Sequence, residues 1–320
     1  MSIVCTGSVA YDYLMKFPGY FREHILLEKL ENISLSFLVD TLVRQRGGTA
    51  PNIAYTLALL GERPQLMATV GEDFAEYRAW LESKGVDTTY ARVVPGKYTA
   101  SFFANTDLSN SQIASFYTGA MAEAATLSVY DFGQQKPDLL VISPNDPGAM
   151  KKYARECQEL GIAYLYDPSQ QVVRIPGEDL RQGVEGAQSL FVNEYEFELL
   201  QKHTGMTAAE IMRVVKVVVV TLGAKGADIH VGGDMTHVEA VPQIRIVDPT
   251  GVGDAFRGGF LAGWRKGLDW QTCGQMGALA ATYCLEEDGP QNHAYTIGEF
   301  IHRYRQHFDD SGRLDVFLAK

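Results

Sequence analysis

The chain has 320 residues, with 28 Lys+Arg against 39 Asp+Glu and a formal net charge of −11. At 46% hydrophobic and 21% charged residues it is too apolar for a disordered chain. A pI near 5.1 argues against a nucleic-acid polymer or an anionic membrane as partner, yet it leaves room for a small anionic ligand at a locally positive site.

The elements follow in chain order. Ser2–Thr6 reads as a strand. Residues 13–46, containing LENISLSFLVDTLV, read as β-rich with polar turns. Residues 50–61 are helical and end on a glycine. A second β-rich segment, 97–117, reads as a hairpin around Asp107–Ser111. Further strands are expected at 138–143, 163–167, 189–193 and 214–222. Helices are expected at 148–160, 195–213, 254–266, 270–286 and 296–308. Strands that are apolar on both faces and alternate with helices imply an α/β fold, with a mostly parallel sheet covered on both sides. The two β-rich segments, 13–46 and 97–117, interrupt this rhythm; together they form a candidate small sheet serving as a lid or a dimer surface.

Several strand-like segments run into a polar residue: Asp12, Asn145, Asp167, Asn193 and Thr221. Any one of these serves equally well as a helix cap. Five in series point to a shared cleft at the carboxyl ends of the strands. Four dispersed cysteines without a C-x-x-C pair, and an N-terminus without a basic and apolar leader, fit a cytoplasmic protein with reduced thiols. No apolar run is long enough to cross a membrane. None of the seven histidines has the spacing of a zinc site.

The segment DPTGVGDAFRGGFLAG, 248–263, carries the most chemistry. It follows the strand-like run QIRIV and opens a helix, with five glycines in thirteen residues. Glycine inside a helix costs about 1 kcal/mol relative to alanine, so the density needs a cause. Gly251 and Gly253 expose backbone N–H groups, with Val252 between them, at the positive end of a helix dipole, which makes an anion site. Gly258, Gly259 and Gly263 permit close packing on a neighbour. Asp254 in that first turn reads either as a helix cap or as a proton acceptor for an incoming hydroxyl. The segment lacks the G-x-x-x-x-G-K-[ST] phosphate loop. Phe256 stands where a dinucleotide fingerprint needs its third glycine.

Three shorter motifs accompany it. GGTAPN, 47–52, places Gly47 and Gly48 before a helix whose first turn holds Asn52. NEYE, 193–196, puts Asn193 and Glu196 on one face of a first helical turn, either as a cap or as oxygen ligands for a hydrated Mg²⁺. VTLGAKGA, 220–227, follows a strand with Gly223 and Gly226, either a turn for close nucleotide approach or a hairpin.

GGTAPN and DPTGVGDAFRGGF, in this order and spacing, resemble the two signatures of the ribokinase-like (PfkB) carbohydrate and nucleoside kinases. NEYE and VTLGAKGA resemble two further elements of that family. The resemblance covers essentially all 320 residues. It implies one three-layer α/β/α domain, 1–320, with a small β lid built from the insertions at about 13–46 and 97–117. It implies transfer of the γ-phosphoryl of ATP to a substrate hydroxyl with Mg²⁺. By that resemblance Asp254 is the base and Gly251, Val252 and Gly253 form the anion hole. Asp12, Gly47, Gly48 and Asn52 contact substrate, while Asn193, Thr221, Gly223 and Gly226 contact ATP. Glu196, with Asn193, serves the metal through water. A monovalent cation such as K⁺ is implied near Asp248, Thr250 and the 286–293 loop. Pro249 and Val252 depart from the commoner D-T-x-G-A-G-D, without loss to a hole made of backbone N–H groups.

GSVAYDYLMKFPGYF, SLSFLV and TDLSNSQIASFYTGAM look closest to the bacterial adenosine kinase and broad nucleoside kinase branch. This implies the 5′-hydroxyl of adenosine as acceptor, with a sugar such as ribose or fructose as the alternative. Phe37, Phe102, Phe103, Phe116 and Tyr117 are candidates to stack on a base, although alternation sends Phe102 and Phe103 to opposite faces. Phe37 and Phe116 are the expected contacts. Monomer and homodimer both fit, because lid sheets have edges that can pair.

Overall fold

Consecutive residues of the central strands enter two different apolar cores. Ile3, Cys5, Leu139, Val141, Val217 and Val219 lie in one; Val4, Leu140, Ile142, Val218 and Val220 lie in the other. A strand pointing alternate side chains into two cores must be covered on both faces, and that requirement makes three layers. The computed structural model describes residues 2–25, 31–32 and 34–318.

Thirteen strands among the described residues divide into two sheets. They are β1 Ile3–Thr6, β2 Ala10–Lys16, β3 Thr41–Gly47, β4 Gln65–Val70, β5 Ala91–Val93, β6 Ala100–Thr106, β7 Gln112–Tyr117, β8 Leu139–Ile142, β9 Ala163–Tyr166, β10 Ser189–Asn193, β11 Val217–Thr221, β12 Ala227–Val231 and β13 Asp234–Val238. The large sheet has the order β13-β12-β11-β10-β9-β8-β1-β4-β5, parallel except where β12 pairs antiparallel with β11 and β13. The small sheet has the order β3-β2-β6-β7.

One face of the large sheet carries α1 Thr49–Leu59, α2 Ala75–Ser83, α7 Val252–Arg265, α8 Trp270–Leu285 and α9 Ile297–His307; the other carries α3 Pro147–Leu160, α4 Gly177–Glu185, α5 Glu194–Thr204 and α6 Ala208–Val214. The glycines of α7 act as the composition suggested. A Cβ on Gly258 would meet Thr56 of α1 at 2.6 Å, and one on Gly259 would meet the Met276 carbonyl of α8 at 2.6 Å. The missing side chains let α7 sit between both helices, which brings its N-terminus to the cleft.

Several expectations need correction. The helix expected at 195–213 is two helices, because Gly205 takes a left-handed conformation and ends α5. The strand expected at 214–222 begins at Val217, because Val214 belongs to α6. QIRIV forms no strand: Ile244 and Ile246 are 85% and 68% exposed, and the run is tied to the end of α8 by single bonds, the Ile244 N–H donating to Glu286 at 2.7 Å and the Val247 N–H to the Leu285 carbonyl at 2.9 Å. Asp12 lies in the middle of β2 in the small sheet, not at the end of a core strand. Of the first insertion, residues 26–30 and Ile33 lie outside the described residues.

Candidate active site

The site begins with the turn before α7. Gly251 caps the helix with φ +77°, a left-handed conformation costly to residues with a Cβ, and a Cβ there would meet Pro290 at 2.3 Å. Asp248 accepts from the Thr250 N–H at 2.9 Å and from the Gly289 N–H at 3.0 Å, so one carboxylate ties this turn to the 286–293 loop. The Val252 N–H turns back to the Pro249 carbonyl at 3.4 Å and the Ala255 N–H starts the helix ladder at the Gly251 carbonyl, while a helix start of this kind leaves its other first-turn N–H groups without intrahelical acceptors, as an anion site requires.

Asp254 follows in that first turn. Its Oδ2 accepts from the Asn52 side-chain amide at 2.9 Å. Burial pushes its carboxyl up to about 6, partly offset by Arg257 and by the Asn52 hydrogen bond. A carboxylate of that kind is a better proton acceptor than an exposed aspartate and is still ionised at pH 7.

Asn52 itself is held. Its Oδ1 accepts from Gln291 Nε2 at 2.8 Å, and the same nitrogen donates to the Tyr77 hydroxyl. That hydroxyl in turn donates to the Gly47 carbonyl at 3.0 Å. All three side chains are buried. The chain of bonds runs from the end of lid strand β3 to the carboxylate at the start of α7. Gln291→Leu would leave the Asn52 oxygen and the Tyr77 hydroxyl without this partner, a cost of about 1–3 kcal/mol. Steady-state kinetics and thermal melting of that variant should show a kcat about tenfold lower and a lower Tm; an unchanged kcat would mean that Asn52 holds Asp254 without help.

The lid supplies the opposite wall. In register, Asp12 pairs with Gln45 on one side and Phe102 on the other, and Phe102 pairs with Phe116. Residues opposite one another share a face, so Asp12, Phe102 and Phe116 line one face of the sheet. That face turns toward the α7 turn. Gln45 donates to Asp288 at 3.0 Å, and burial with the nearby charge of Asp248 pushes Asp12 up to about 6. Phe103 belongs to the other face, stacked on Tyr13 with ring centroids 4.8 Å apart. Phe37 packs against Phe17, Phe21 and His24, and so belongs to an aromatic cluster of the lid's own.

Two glycines place Asp12 and the lid. A Cβ on Gly47 would lie 2.6 Å from Asp12 Oδ2. Gly48 caps α1 with φ +96°, and a Cβ there would strike the backbone of Ser8, Val9 and Ala10 at 2.4–2.8 Å.

The remaining motif residues lie at neighbouring strand ends. Asn193 and Glu196 form a reciprocal cap: the Asn193 Oδ1 accepts from the Glu196 N–H at 2.7 Å, and the Glu196 Oε2 accepts from the Asn193 N–H at 2.8 Å. Glu196 Oε1 accepts from the Ser169 hydroxyl at 3.1 Å. Thr221 ends β11 beside Asn193 in register. Gly223 has open space around it, whereas a Cβ on Gly226 would lie 1.9 Å from the Val238 carbonyl. Gly226 therefore serves the close approach of the chain near β13, and Gly223 is the one open to a ligand.

Among the described residues no three His, Cys, Asp or Glu side chains converge as a metal-binding group. The donors near the cleft are oxygens, including Glu196 and the buried, unpartnered Oδ2 of Asp167. Such a set fits a hydrated Mg²⁺ that keeps its waters and rides on phosphates.

Tyr77, Asp167, Arg257 and Gln291 join the site although no motif named them as site residues. Asp167 was legible as a polar strand end. Arg257 was legible by its spacing, three residues after Asp254 and so on the same helix face. Gln291 gave no local signal, its partner Asn52 lying 239 residues away.

Residues 3–297 match the pfkB family carbohydrate kinases. The nucleoside kinase of Methanocaldococcus jannaschii is 27% identical over 95% of this chain and 97% of its own length. That of Methanothermobacter thermautotrophicus is 28% identical over 94% and 95%. Among solved structures, the Burkholderia thailandensis nucleoside kinase in complex with inosine is 36% identical with a TM-score of 0.85, covering 96% of this chain and 98% of that one.

Proposed function

The chain belongs to the pfkB family of carbohydrate kinases, and from that premise we propose that it transfers the γ-phosphoryl of ATP to the 5′-hydroxyl of a nucleoside, with adenosine the first candidate. The observation that carries this reading is the lid face on which Asp12 stands in register with Phe102 and Phe116. A carboxylate accepts hydrogen bonds from sugar hydroxyls, and two aromatic rings beside it offer a surface to a base. A free sugar has no use for the second feature. The relatives named nucleoside kinase, and the inosine held by the Burkholderia protein, support the same class.

Asp254 takes the proton of the attacking hydroxyl. The oxygen–phosphorus bond to the nucleoside forms as the bond to the bridging oxygen of ATP breaks, and the electron pair leaves on ADP. Asn52 holds Asp254 through the transfer, and the N–H groups of Gly251 to Gly253 receive the charge on the phosphoryl oxygens. Asn193 and Glu196 would hold a hydrated Mg²⁺ through its waters, and the ion would supply neutralisation of the phosphate charge. A monovalent cation such as K⁺ would be held near Asp248 and Thr250, whose turn Asp248 ties to the 286–293 loop through the Gly289 N–H.

The test is ADP release with adenosine, inosine, ribose, fructose and fructose 6-phosphate under equal ATP. The expected order puts the nucleosides first by at least tenfold in kcat/KM, a difference of about 1.4 kcal/mol in transition-state binding. Turnover of the sugars alone would replace this reading with a sugar kinase.

A further inference from the structure

Beyond the glycine turn and Asp254, α7 holds a second charged group at the cleft. Arg257 is 8% exposed. Its Nη2 donates to Asp167 Oδ1 at 2.6 Å, reaching from α7 to the carboxyl end of β9. Its Nε is buried with no partner. Its Nη1 lies 2.8 Å from the position a Cβ would take on Gly253. The guanidinium is therefore folded back along the first turn of its own helix, against the backbone of the anion hole. The absence of a side chain at Gly253 is what admits it.

A buried cation with one of its donors engaged and another orphaned is a costly arrangement if its purpose is stability. Apolar residues of the same volume usually do as well or better. Three acids surround it: Asp167 from the end of β9, Glu196 from α5 and Asp254 from α7 all act on its charge. This ring of acids would repel an entering phosphate unless a cation stood in front of it.

We propose that Arg257 is a catalytic residue of the phosphoryl transfer, presenting its guanidinium to the transferring γ-phosphoryl group, and that Asp167 is the positioning residue that anchors it. This rests on the phosphotransferase reading above. Arg257 makes and breaks no bond. It carries positive charge to the equatorial oxygens as charge shifts between the attacking and leaving oxygens, as a planar fork suits. Asp167 holds one arm of the fork, so the guanidinium loses little freedom when the phosphoryl arrives.

Three readouts on Arg257→Gln and Arg257→Lys test the proposal. In Arg257→Gln, kcat should fall by about 10²–10⁴-fold while the nucleoside KM changes less than threefold. Calorimetry should show ADP bound as in the wild type, and a non-hydrolysable ATP analogue bound about tenfold more weakly. The acid limb of the residual kcat/KM should move to higher pH, because Arg257 lowers the affinity of Asp254 for its proton. Asp254 is otherwise faced by Asn52 of α1, by the Cys284 thiol of α8 and by the carboxyl of Asp167 at the end of β9; Asn52 and Cys284 are unaltered, and an Asp167 left ionised without its guanidinium moves Asp254 in the same direction. If Arg257→Gln does not fold, Arg257→Lys decides: it keeps the charge without the fork and should lose about tenfold in kcat with ADP binding intact. A wild-type kcat in either folded variant, or equal weakening of ADP and the ATP analogue, overturns the proposal. A wild-type chain that phosphorylates nothing overturns the phosphotransferase reading instead.

Discussion

Asp254→Asn should lower kcat by about 10³-fold or more while leaving ATP and ADP affinities within about twofold of the wild type. The amide keeps the size of the carboxylate and can still bond Asn52 after rotation, so the helix start is expected to persist. What it lacks is the lone pair that takes the proton. The pH profile gives the same account a second reading. Burial holds both Asp254 and Asp12 up at about 6. Each must be ionised to work, one as proton acceptor and the other as acceptor of sugar hydroxyl bonds. As pH falls through 6 both carboxylates gain protons, so kcat/KM should fall with a limiting slope near two. Above pH 7 both are ionised and the profile should be flat. Asp12→Asn should leave a slope near one, with the loss expressed mainly in KM. Near-normal turnover in Asp254→Asn would remove Asp254 as the base.

Gly48→Val should damage both KM and kcat and lower Tm. The backbone at Gly48 has φ +96°, a conformation a β-branched residue essentially never adopts, and the added Cβ would meet three backbone atoms that cannot rotate away. Strain and clash together amount to about 3 kcal/mol or more. Relief requires α1 to move away from the turn of residues 8–10 that leads into β2. That motion displaces Asn52 on α1 and Asp12 on β2 together, so the acceptor side of the reaction loses both its orienting groups. Gly85 offers a control: it too has a positive φ, +94°, but nothing lies within 4 Å of a Cβ there. Gly85→Ala should cost stability through backbone strain alone and leave KM unchanged. Equal kinetic effects at the two positions would deny Gly48 a special place at the hinge of lid and core.

The parts of this site that were legible in the sequence are those built locally. Glycines packed into 248–263 have few other uses than exposing backbone and admitting a neighbouring helix, and the second use is present at Gly258, Gly259 and Gly263. The alternation that separates Phe102 from Phe103 is a property of any strand, and it correctly divides the lid into two faces. The parts that were not legible depend on distant pairing. QIRIV has the composition of a strand but, among the described residues, lies beside the end of a helix and no strand, and a strand without a ladder does not form. The boundary after Val214 lies where Val215 turns to an extended conformation and ends α6, so that the valine run divides between α6 and β11. Asp12 looked like a strand end because it follows a short apolar run, yet its partners Gln45 and Phe102 come from both insertions. The bond chain from Gly47 through Tyr77, Gln291 and Asn52 to Asp254 joins four segments. No spacing in the sequence encodes it.

The net charge of −11 is consistent with phosphate chemistry once charge is read by place. On the reading proposed above, the anion site would be made of backbone N–H groups, which add nothing to the formal charge, and of Arg257, which is paired with Asp167.

The most direct measurement of the central claim is identification of the product by mass spectrometry and phosphorus NMR, with γ-labelled ATP and adenosine or inosine as acceptor. The expected product is a nucleoside 5′-monophosphate that carries the label, formed in equal amount to ADP by the wild type and lost in Asp254→Asn. ADP formed without a labelled nucleoside, or label found only on a free sugar, would contradict it.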